Sequence, residues 1–523
     1  MITVLLLLIV TGSVFITSEL FKEVENSAKN YYVIISALII LIVCFISKKG
    51  VQKLIESMRV RLFYNGIVLI CMLSSMHGIL QYLGFFPSNH YAFSITGSFE
   101  NPAGFAAIQA ALFPFVFTQC FAIETGKALK CLSAIVSVLC ATSVVMAGSR
   151  TGSLAICSAI VIVLYFTSTA SIVIKKHRWL WLLLLILTGS LLITLYYIKK
   201  DSADGRLFIW CRCIDLIKER PILGHGVYGF HRCYMSTQAD FFQMHPDSPY
   251  VMLADNVSHP LNEYIKLAVN HGLVGLAVAI ALLVLIVHRL FKCDEQTKVL
   301  GLSFVASVFI MCQFSYPLRY ATVWLLAAIA VVPALIINER IAFPKWIRIT
   351  LTSLLVTILS LTTRRMYFEM KWTEISKRAL IGQVDRMLKY YDGMPYCMKR
   401  NPLFLYNYAA ELNYAGHHEE SVSMALQCAN MWNDYDVQLL LANNYAHLHN
   451  KEKAIQSYNK ACNMIPCRFE PLFGEMLVYR DFNDSVNALR IANEICDKPV
   501  KINSERIAFI VDYAQQFLLD YEL

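Results

Sequence analysis

Charge is what this 523-residue sequence has least of. Asp, Glu, Lys and Arg together make up 16% of it, against 57% hydrophobic residues, and the mean hydropathy is +0.51. A soluble chain of this length carries more charge and shorter apolar runs, so a wholly soluble protein is excluded. The first apolar run, residues 1–16, lacks a basic leading segment and an A-x-A-like cleavage site, so it reads as a retained membrane helix rather than a signal peptide. Zinc-type spacing is missing among the 16 cysteines. About half of them fall in apolar runs, where Cys behaves as a small hydrophobe. Cys462 and Cys467 are candidates to pair if the tail lies in an oxidising compartment, and the sequence leaves that pairing open. Charge is also nearly absent from the middle of the apolar runs, which weighs against a transporter, whose ionisable groups sit near the bilayer midplane.

What is present is a series of runs long enough to cross about 30 Å of hydrocarbon. After residues 1–16 they are 31–47, 62–83, 105–122, 131–147, 152–165, 180–198, 264–290, 300–313, 321–337 and 346–361. Hydropathy therefore predicts an all-α, polytopic membrane protein with about 11 transmembrane helices. Basic residues mark alternate connections: Lys48, Lys49, Lys53, Arg59 and Arg61; Lys127 and Lys130; Lys175, Lys176 and Arg178; Arg289, Lys292 and Lys298; Arg340, Lys345 and Arg348. The positive-inside rule puts these and the N-terminus in the cytoplasm, and 85–100, 148–152, 199–263, 315–320 and the tail outside. The net charge of +9 is mostly this topogenic lysine and arginine and points to no nucleic-acid partner.

The expected division is a membrane domain, 1–363, with a long outer loop at 199–263, followed by a soluble helical domain, 364–523. In the latter, Leu441, Ala442, Tyr445, Ala454, Tyr458, Ala461 and Pro466 reproduce a tetratricopeptide repeat. A weaker copy about 33 residues earlier uses Tyr408, Ala409, Leu412, Ser421, Ala425 and Cys428. Helices at 372–387 and 504–519 are expected to complete the stack. Such a domain offers a protein-binding surface or a packing spacer.

Polar residues gather on the outer side in four places. In "GSFENPAGFAA", Asn101 stands at a helix N-cap and Pro102 in its first turn, either as a plain helix start or with the amide lining a polar site. In "AGSRTGS", Arg150 occupies a tight turn near hydrocarbon, which is costly unless it snorkels or meets an anion. Residues 206–220 read as an amphipathic interfacial helix with Leu207, Phe208, Trp210, Cys211, Ile214 and Ile217 on its apolar side. Pro221 ends it, and Gly224-His-Gly226-Val-Tyr-Gly229 follows. This matches G-x-G-x-x-G literally, but no strand precedes it, so dinucleotide binding is rejected and the glycines are read as permitting a compact loop. Last, "SHPLNEYIKLAVNHGLVGL" places His259, Asn262 and Glu263 at the start of an apolar run. His259 and Glu263 share a face if the helix has begun by Pro260.

These motifs resemble, over roughly 97–332, the O-antigen ligase-like superfamily, which includes O-antigen ligases, O-antigen polymerases and protein O-oligosaccharyltransferases. The resemblance rests on the Phe-Glu-Asn-Pro helix start, the Ser-Arg turn and the Arg206-x-x-x-Trp210 helix. The Pro221-x-x-Gly224-x-Gly226 turn, the His-x-x-Asn-Glu-Tyr start and the Gly272-Leu-Val-Gly275-Leu helix complete it. It implies a GT-C-like helical membrane fold. The reaction implied is transfer of a glycan from a polyprenyl diphosphate to a hydroxyl on the periplasmic face of the bacterial inner membrane. The acceptor would be a lipid A–core sugar, a growing glycan or a protein, with the ligase type preferred.

The residue types suit that chemistry. Guanidinium forks match diphosphate oxygens, so Arg150, Arg206 and Arg319 are the candidate diphosphate-binding residues. His259 is the candidate general base, with Glu263 its rival or the group that orients it. Asn101, Trp210 and Asn262 are expected to position substrate. Neither a metal nor another cofactor is expected, because carboxylate ligands are few in the cluster. The expected partners are the lipid-linked glycan, its acceptor, membrane lipids and a protein bound by the repeat domain. The rival classes are a lipid-glycan transporter and a tethered repeat scaffold.

Overall fold

A computed structural model describes residues 2–47, 50–58, 60–123, 125–167, 200–336 and 343–522. The run expected at 180–198, with Lys175, Lys176 and Arg178, lies outside the described residues, as do Lys48, Lys49, Arg59 and Arg340. Helices account for all the regular structure among the described residues. Six of them are long and apolar enough to cross a membrane, and three shorter apolar helices accompany them. The protein is an all-α, polytopic membrane protein. The chain divides into two compact units, a span unit (Met1–Ile198, Leu261–Glu263 and Val278–Met370) and a loop–tail unit (Lys199–Pro260, Tyr264–Ala277 and Lys371–Leu523). Residues 199–260, part of the predicted outer loop, thus group with the tail.

In the span unit the helices are α1 (Ile2–Phe15), α2 (Ser27–Ile46), α3 (Gly50–Met58), α4 (Arg61–Tyr82), α5 (Pro102–Gln119), α6 (Lys127–Met146) and α7 (Arg150–Phe166). Helix α5 forms its centre, packed on by α4, α6 and α7, with Phe105, Ile108, Leu112 and Phe115 fully buried. Halfway along α5, the buried Gln109 donates from Nε2 to Ser74 Oγ (2.9 Å) and accepts at Oε1 from Ser75 Oγ (3.2 Å) and Cys140 Sγ (3.3 Å). An amide left unpaired in hydrocarbon costs several kcal/mol, so this knot pins the register of three helices.

Helices α8 (Lys200–Glu219) and α9 (Gly229–Met244) belong to the loop–tail unit. Helix α10 (Glu263–Phe291) is two helices joined at Gly272, whose φ of 65° and ψ of −168° are non-helical. The single span expected at 264–290 is therefore broken nine residues in. Helices α11 (Glu295–Phe314) and α12 (Ala321–Leu335) return to the span unit, and α11 also packs on α5. Helix α13 (Lys345–Arg378) has 34 residues. The run expected to stop at 361 continues as one helix into the tail, because nothing in Thr362–Glu369 breaks a helix. The flanking helix expected at 372–387 is instead interrupted at Ala379–Gln383, where Gly382 has φ +86°.

The tail then forms α14 (Val384–Asp392), α15 (Pro402–Tyr414), α16 (His418–Ala429), α17 (Tyr435–His447), α18 (Lys451–Met464), α19 (Glu470–Asp481), α20 (Ser485–Asp497) and α21 (Glu505–Glu522). Consecutive helices pair as hairpins: α15 with α16, α17 with α18 and α19 with α20. The small residues singled out by the repeat pattern allow close approach. Ala409, Ala425, Ala442, Ala454 and Ala461 are completely buried, and Ser421 Oγ donates to Ala409 O at 2.6 Å. Cys462 and Cys467 are both free thiols. Cys462 packs with the C-terminal hairpin, whereas Cys467 belongs to the core shared with α8 and α9.

That shared core is the main feature of the loop–tail unit. Phe208, Leu216, Phe230, Tyr234 and Phe242 from the loop pack with Tyr435, Met464 and Ile465 from the tail. Gln238 Nε2 donates to Met464 O at 2.6 Å, and Asn433 N donates to His231 O at 3.1 Å. Of the apolar residues expected on one side of 206–220, only some pack in this core. Phe208, Cys213 and Leu216 are buried, while Leu207, Cys211 and Ile214 face outward. The tail covers the face of α8 that carries Phe208, Cys213 and Leu216.

Candidate functional site

The candidate residues divide between the units: Arg206, Trp210 and His259 in the loop–tail unit, and Asn101, Arg150, Arg319, Asn262 and Glu263 in the span unit.

In the loop–tail unit the chain after α8 turns on glycines. Gly224 has φ +67° and Gly226 φ +91°. This lets the loop lie backbone-to-backbone against the break in α10. His225 N donates to Val269 O (2.9 Å), Gly226 N to Asn270 O (2.8 Å) and Leu273 N to Pro221 O (2.8 Å). A Cβ on Gly272 would stand 2.1 Å from Ile222 O, and one on Gly224 would stand 2.6 Å from Asn270 C. The Asn270 side chain completes the joint, accepting from Phe230 N at 2.9 Å and donating to Val227 O at 3.0 Å. The G-x-G-x-x-G match is thus a structural clasp on a broken helix, as its missing strand implied.

His259 lies in the same unit. Helix α10 begins only at Glu263, and Leu261 has φ +55°, so residues 259–262 are not helical. This corrects the expectation that His259 and Glu263 share a helical face with Pro260 in the first turn. His259 is placed by other contacts. Trp210 Nε1 donates to Pro260 O at 2.8 Å, fixing the backbone next to it. Lys266 Nζ lies 3.2 Å from His259 Nδ1. The His231 ring meets the His259 ring edge-on at 6.0 Å, and Trp432 stacks on His231 at 4.6 Å. Arg206 lies one turn before Trp210 on α8. Lys266, His231 and Trp432 were missed by sequence reasoning. Lys266 stood in the quoted stretch, one turn beyond Glu263, whereas Trp432 lies in a tail turn that no local pattern connects to the loop.

In the span unit, Asn101 is the N-cap of α5 as expected, accepting from Gly104 N at 3.0 Å. Its amide also donates to Tyr316 OH at 3.0 Å, so it caps and lines a polar cluster at once. Tyr320 OH donates to Glu100 Oε1 at 2.9 Å, while Glu100 Oε2 is buried with no hydrogen-bond partner. Burial, then the Glu100 charge, pushes the phenols of Tyr316 and Tyr320 up, which keeps them protonated as donors. Arg319 pairs with Glu23 at 3.2 Å. Burial of its guanidinium is outweighed by the carboxylates of Glu23 and Glu100, which raise its pKa. Glu100, part of the quoted motif but not singled out, is the acidic centre of this cluster. Asn262 donates from Nδ2 to Gln313 O at 3.0 Å and is buried, tying the start of α10 to the end of α11. Arg150 is the first residue of α7, directly after the cap Ser149, whose Oγ accepts from Gly152 N at 3.2 Å.

With this geometry in view, the comparison with known families gives a clear result. Residues 135–280 match the O-antigen ligase family. The ligase-like segment contains Arg150, Arg206, Trp210, His259, Asn262 and Glu263, and leaves Asn101 and Arg319 outside it. The match supports the O-antigen ligase-like superfamily and, with it, a membrane glycosyltransferase of ligase or polymerase type. Substrates of such a family are in general a lipid-linked glycan and an acceptor. No curated protein matches the chain. The ligase-like segment crosses both units, and within the loop–tail unit it holds both the glycine clasp and His259.

Proposed function

We propose that this protein transfers a glycan from a polyprenyl diphosphate to an acceptor hydroxyl on the periplasmic face of the inner membrane, in the manner of an O-antigen ligase. The observation that supports it most is that the segment matching the ligase family contains His259, held by Trp210 and beside Lys266, with Arg206 on the same helix as Trp210. In the reaction the acceptor oxygen bonds to the anomeric carbon as the bond to the diphosphate oxygen breaks. The departing diphosphate is where negative charge develops, so fixed cationic and N–H donors contribute most to the rate. Arg206 is assigned to that diphosphate, and Arg150 and Arg319 are assigned the same role on chemical grounds. Asn101, Asn262 and Trp210 are assigned to positioning, and Glu263 to proton transfer. The proposed chemistry uses no metal, since arginine, lysine and histidine supply the charge. The tail is read as a tetratricopeptide-type domain that holds the loop and presents a surface to the acceptor or a partner.

The experiment is a comparison of glycan pools in a strain lacking the gene, complemented with wild type, His259→Ala or Arg206→Ala. Long chains stranded on the polyprenyl carrier, restored to the surface only by the wild type, are expected. Single repeat units stranded there would assign the polymerase reaction instead, and unchanged pools would refute the enzymatic reading.

A further inference from the structure

Within the tail lies a cavity of about 400 Å³, toward the small end of the range for small-molecule sites, about 300–1,000 Å³. Tyr406 and Asn413 of α15, Asp436 and Asn443 of α17, Glu470 of α19 and Arg506 of α21 supply most of its polar lining. Tyr458 adds an aromatic wall, its ring so near Gly474 that a Cβ there would stand 2.3 Å from Cε1. Arg506 is the one cation among the described lining residues. It holds Glu470 by two bonds, Nε to Oε1 at 2.6 Å and Nη2 to Oε2 at 3.0 Å, and so offers little to a phosphate.

What the cavity presents to a ligand suits hydroxyl groups. Burial, then the charges of Asp436 and Asp434, pushes the Tyr406 phenol up to about 12, so it stays an O–H donor. Asn413 donates from Nδ2 to Asn443 Oδ1 (2.9 Å) and Asn444 Oδ1 (2.8 Å), which uses both its N–H bonds and leaves its carbonyl oxygen an acceptor. The Asp436 carboxylate accepts from Asn256 Nδ2 at 3.1 Å and has further lone pairs. A sugar brings adjacent hydroxyls that both donate and accept, and C–H faces that rest on aromatic rings. The cavity wall is also tied to the segment that carries His259. Asn256 bonds Asp434 as well, at 3.2 Å, and stands three residues before His259, a stretch that reaches at most about 11 Å. Asp434 in turn accepts from Trp432 Nε1 at 2.9 Å, and Trp432 stacks on the His231 ring that meets His259. A glycan of a few units covers that separation.

We propose that this cavity is a glycan-binding subsite, seating sugar units of a chain whose reacting end lies at His259. This rests on the glycan-transfer reading and gives the tail a part in it. Sugars held in the cavity remove freedom that the reacting end would otherwise lose on the way to the transition state.

Full-length protein in nanodiscs would be titrated calorimetrically with two probes: short oligosaccharides cut from the parent strain's surface polysaccharide, and core oligosaccharide from the deletion strain's lipopolysaccharide. We expect one of them to bind. Tyr406→Ala and Asp436→Ala should each raise Kd about tenfold, and Tyr406→Phe, which keeps the ring, about two- to threefold. Tyr406 is half-buried and Asp436 exposed, so the variants should melt close to the wild type. Binding of the polysaccharide fragments assigns the cavity to the donor chain, and binding of the core oligosaccharide assigns it to the acceptor. In transfer assays the same variants should raise KM with kcat nearly unchanged. No binding of either probe, the same Kd in wild type and Tyr406→Ala, or uptake of a pool of extended peptides in place of sugar overturns the proposal. Glycan pools unchanged by deleting the gene would sink the transfer reading while calorimetry still reports the sugar site. Shifted pools without binding that depends on Tyr406 overturn the cavity alone.

Discussion

Replacing Gly272 with alanine tests whether the clasp at the break in α10 supports the site. A methyl there would lie 2.1 Å from Ile222 O and 2.3 Å from its carbonyl carbon, where ordinary contact begins at 3.4 Å. The clashing atoms are backbone, so no side chain can swing away, and the loop must withdraw by roughly an ångström or more. The bonds of Leu273 N to Pro221 O (2.8 Å) and Val274 N to Ile222 O (3.3 Å) then break. Two hydrogen bonds at about 1 kcal/mol each, plus about 1–3 kcal/mol for a conformation that only glycine adopts readily, come to about 3–5 kcal/mol. The matched control is Gly226→Ala. Its φ is +91° but nothing lies within 4 Å, so it should cost only the strain, about 1–2 kcal/mol. The assay is thermal unfolding of the full-length protein in detergent, read by limited proteolysis at Arg220, together with transfer activity. If Gly272→Ala melts no lower than Gly226→Ala, or keeps the loop protected and active, the close approach does not support the site.

Glu475, 1% exposed on α19, has its carboxyl pushed up to about 7 by burial, with Glu494 adding to the effect and Arg490 opposing it. The folded state therefore holds a proton that the unfolded chain releases near its ordinary pKa. Stability should be fully present in acid and fall as pH rises through 7, by on the order of 2–3 kcal/mol. Glu475→Gln should flatten the difference in melting between pH 5.5 and 8, and an unchanged slope would refute this cause. Trp210→Phe keeps the ring but leaves Pro260 O without its 2.8 Å partner, so transfer should drop about tenfold with melting lowered by only about 1 kcal/mol. Full transfer in Trp210→Phe with a loss only in Trp210→Leu would show that the ring, not the N–H, matters. Asn101→Ala should cost about 0.5–2 kcal/mol through loss of the α5 cap. Asn101→Asp should recover the cap without the donation to Tyr316, and full activity in that variant would remove Tyr316 from consideration.

What could be read from sequence follows the range of the interactions concerned. The cap at Asn101 and Pro102 was legible because an N-cap is satisfied within three residues. The membrane class was legible because hydrocarbon demands long apolar runs wherever they fall. The glycines at 224 and 226 announced a special loop but not its purpose, since their partner, Gly272, lies elsewhere in the chain. The sequence showed one apolar side on α8 but not the second stripe, Phe208, Cys213 and Leu216, which packs with the tail's Tyr435 and Met464 far along the chain. The start of α10 was misplaced because Pro260 fits a first turn as well as it fits the extended segment that Leu261, at φ +55°, imposes. Lys266 could have been weighed as a partner of His259, but a separation of seven residues carries no such meaning unless the intervening chain is known to be partly unwound.

The common core of the loop–tail unit also sets when the loop can be covered. Gln238 and Met464, joined at 2.6 Å, are 226 residues apart in the chain. At a synthesis rate of about 5–20 residues per second, the loop waits roughly 10–50 s for the segment that covers Phe230 and Tyr234. During that interval the aromatic surface of the loop stands uncovered by its own tail. Every truncated product that ends before α18 is therefore left with an incompletely covered loop.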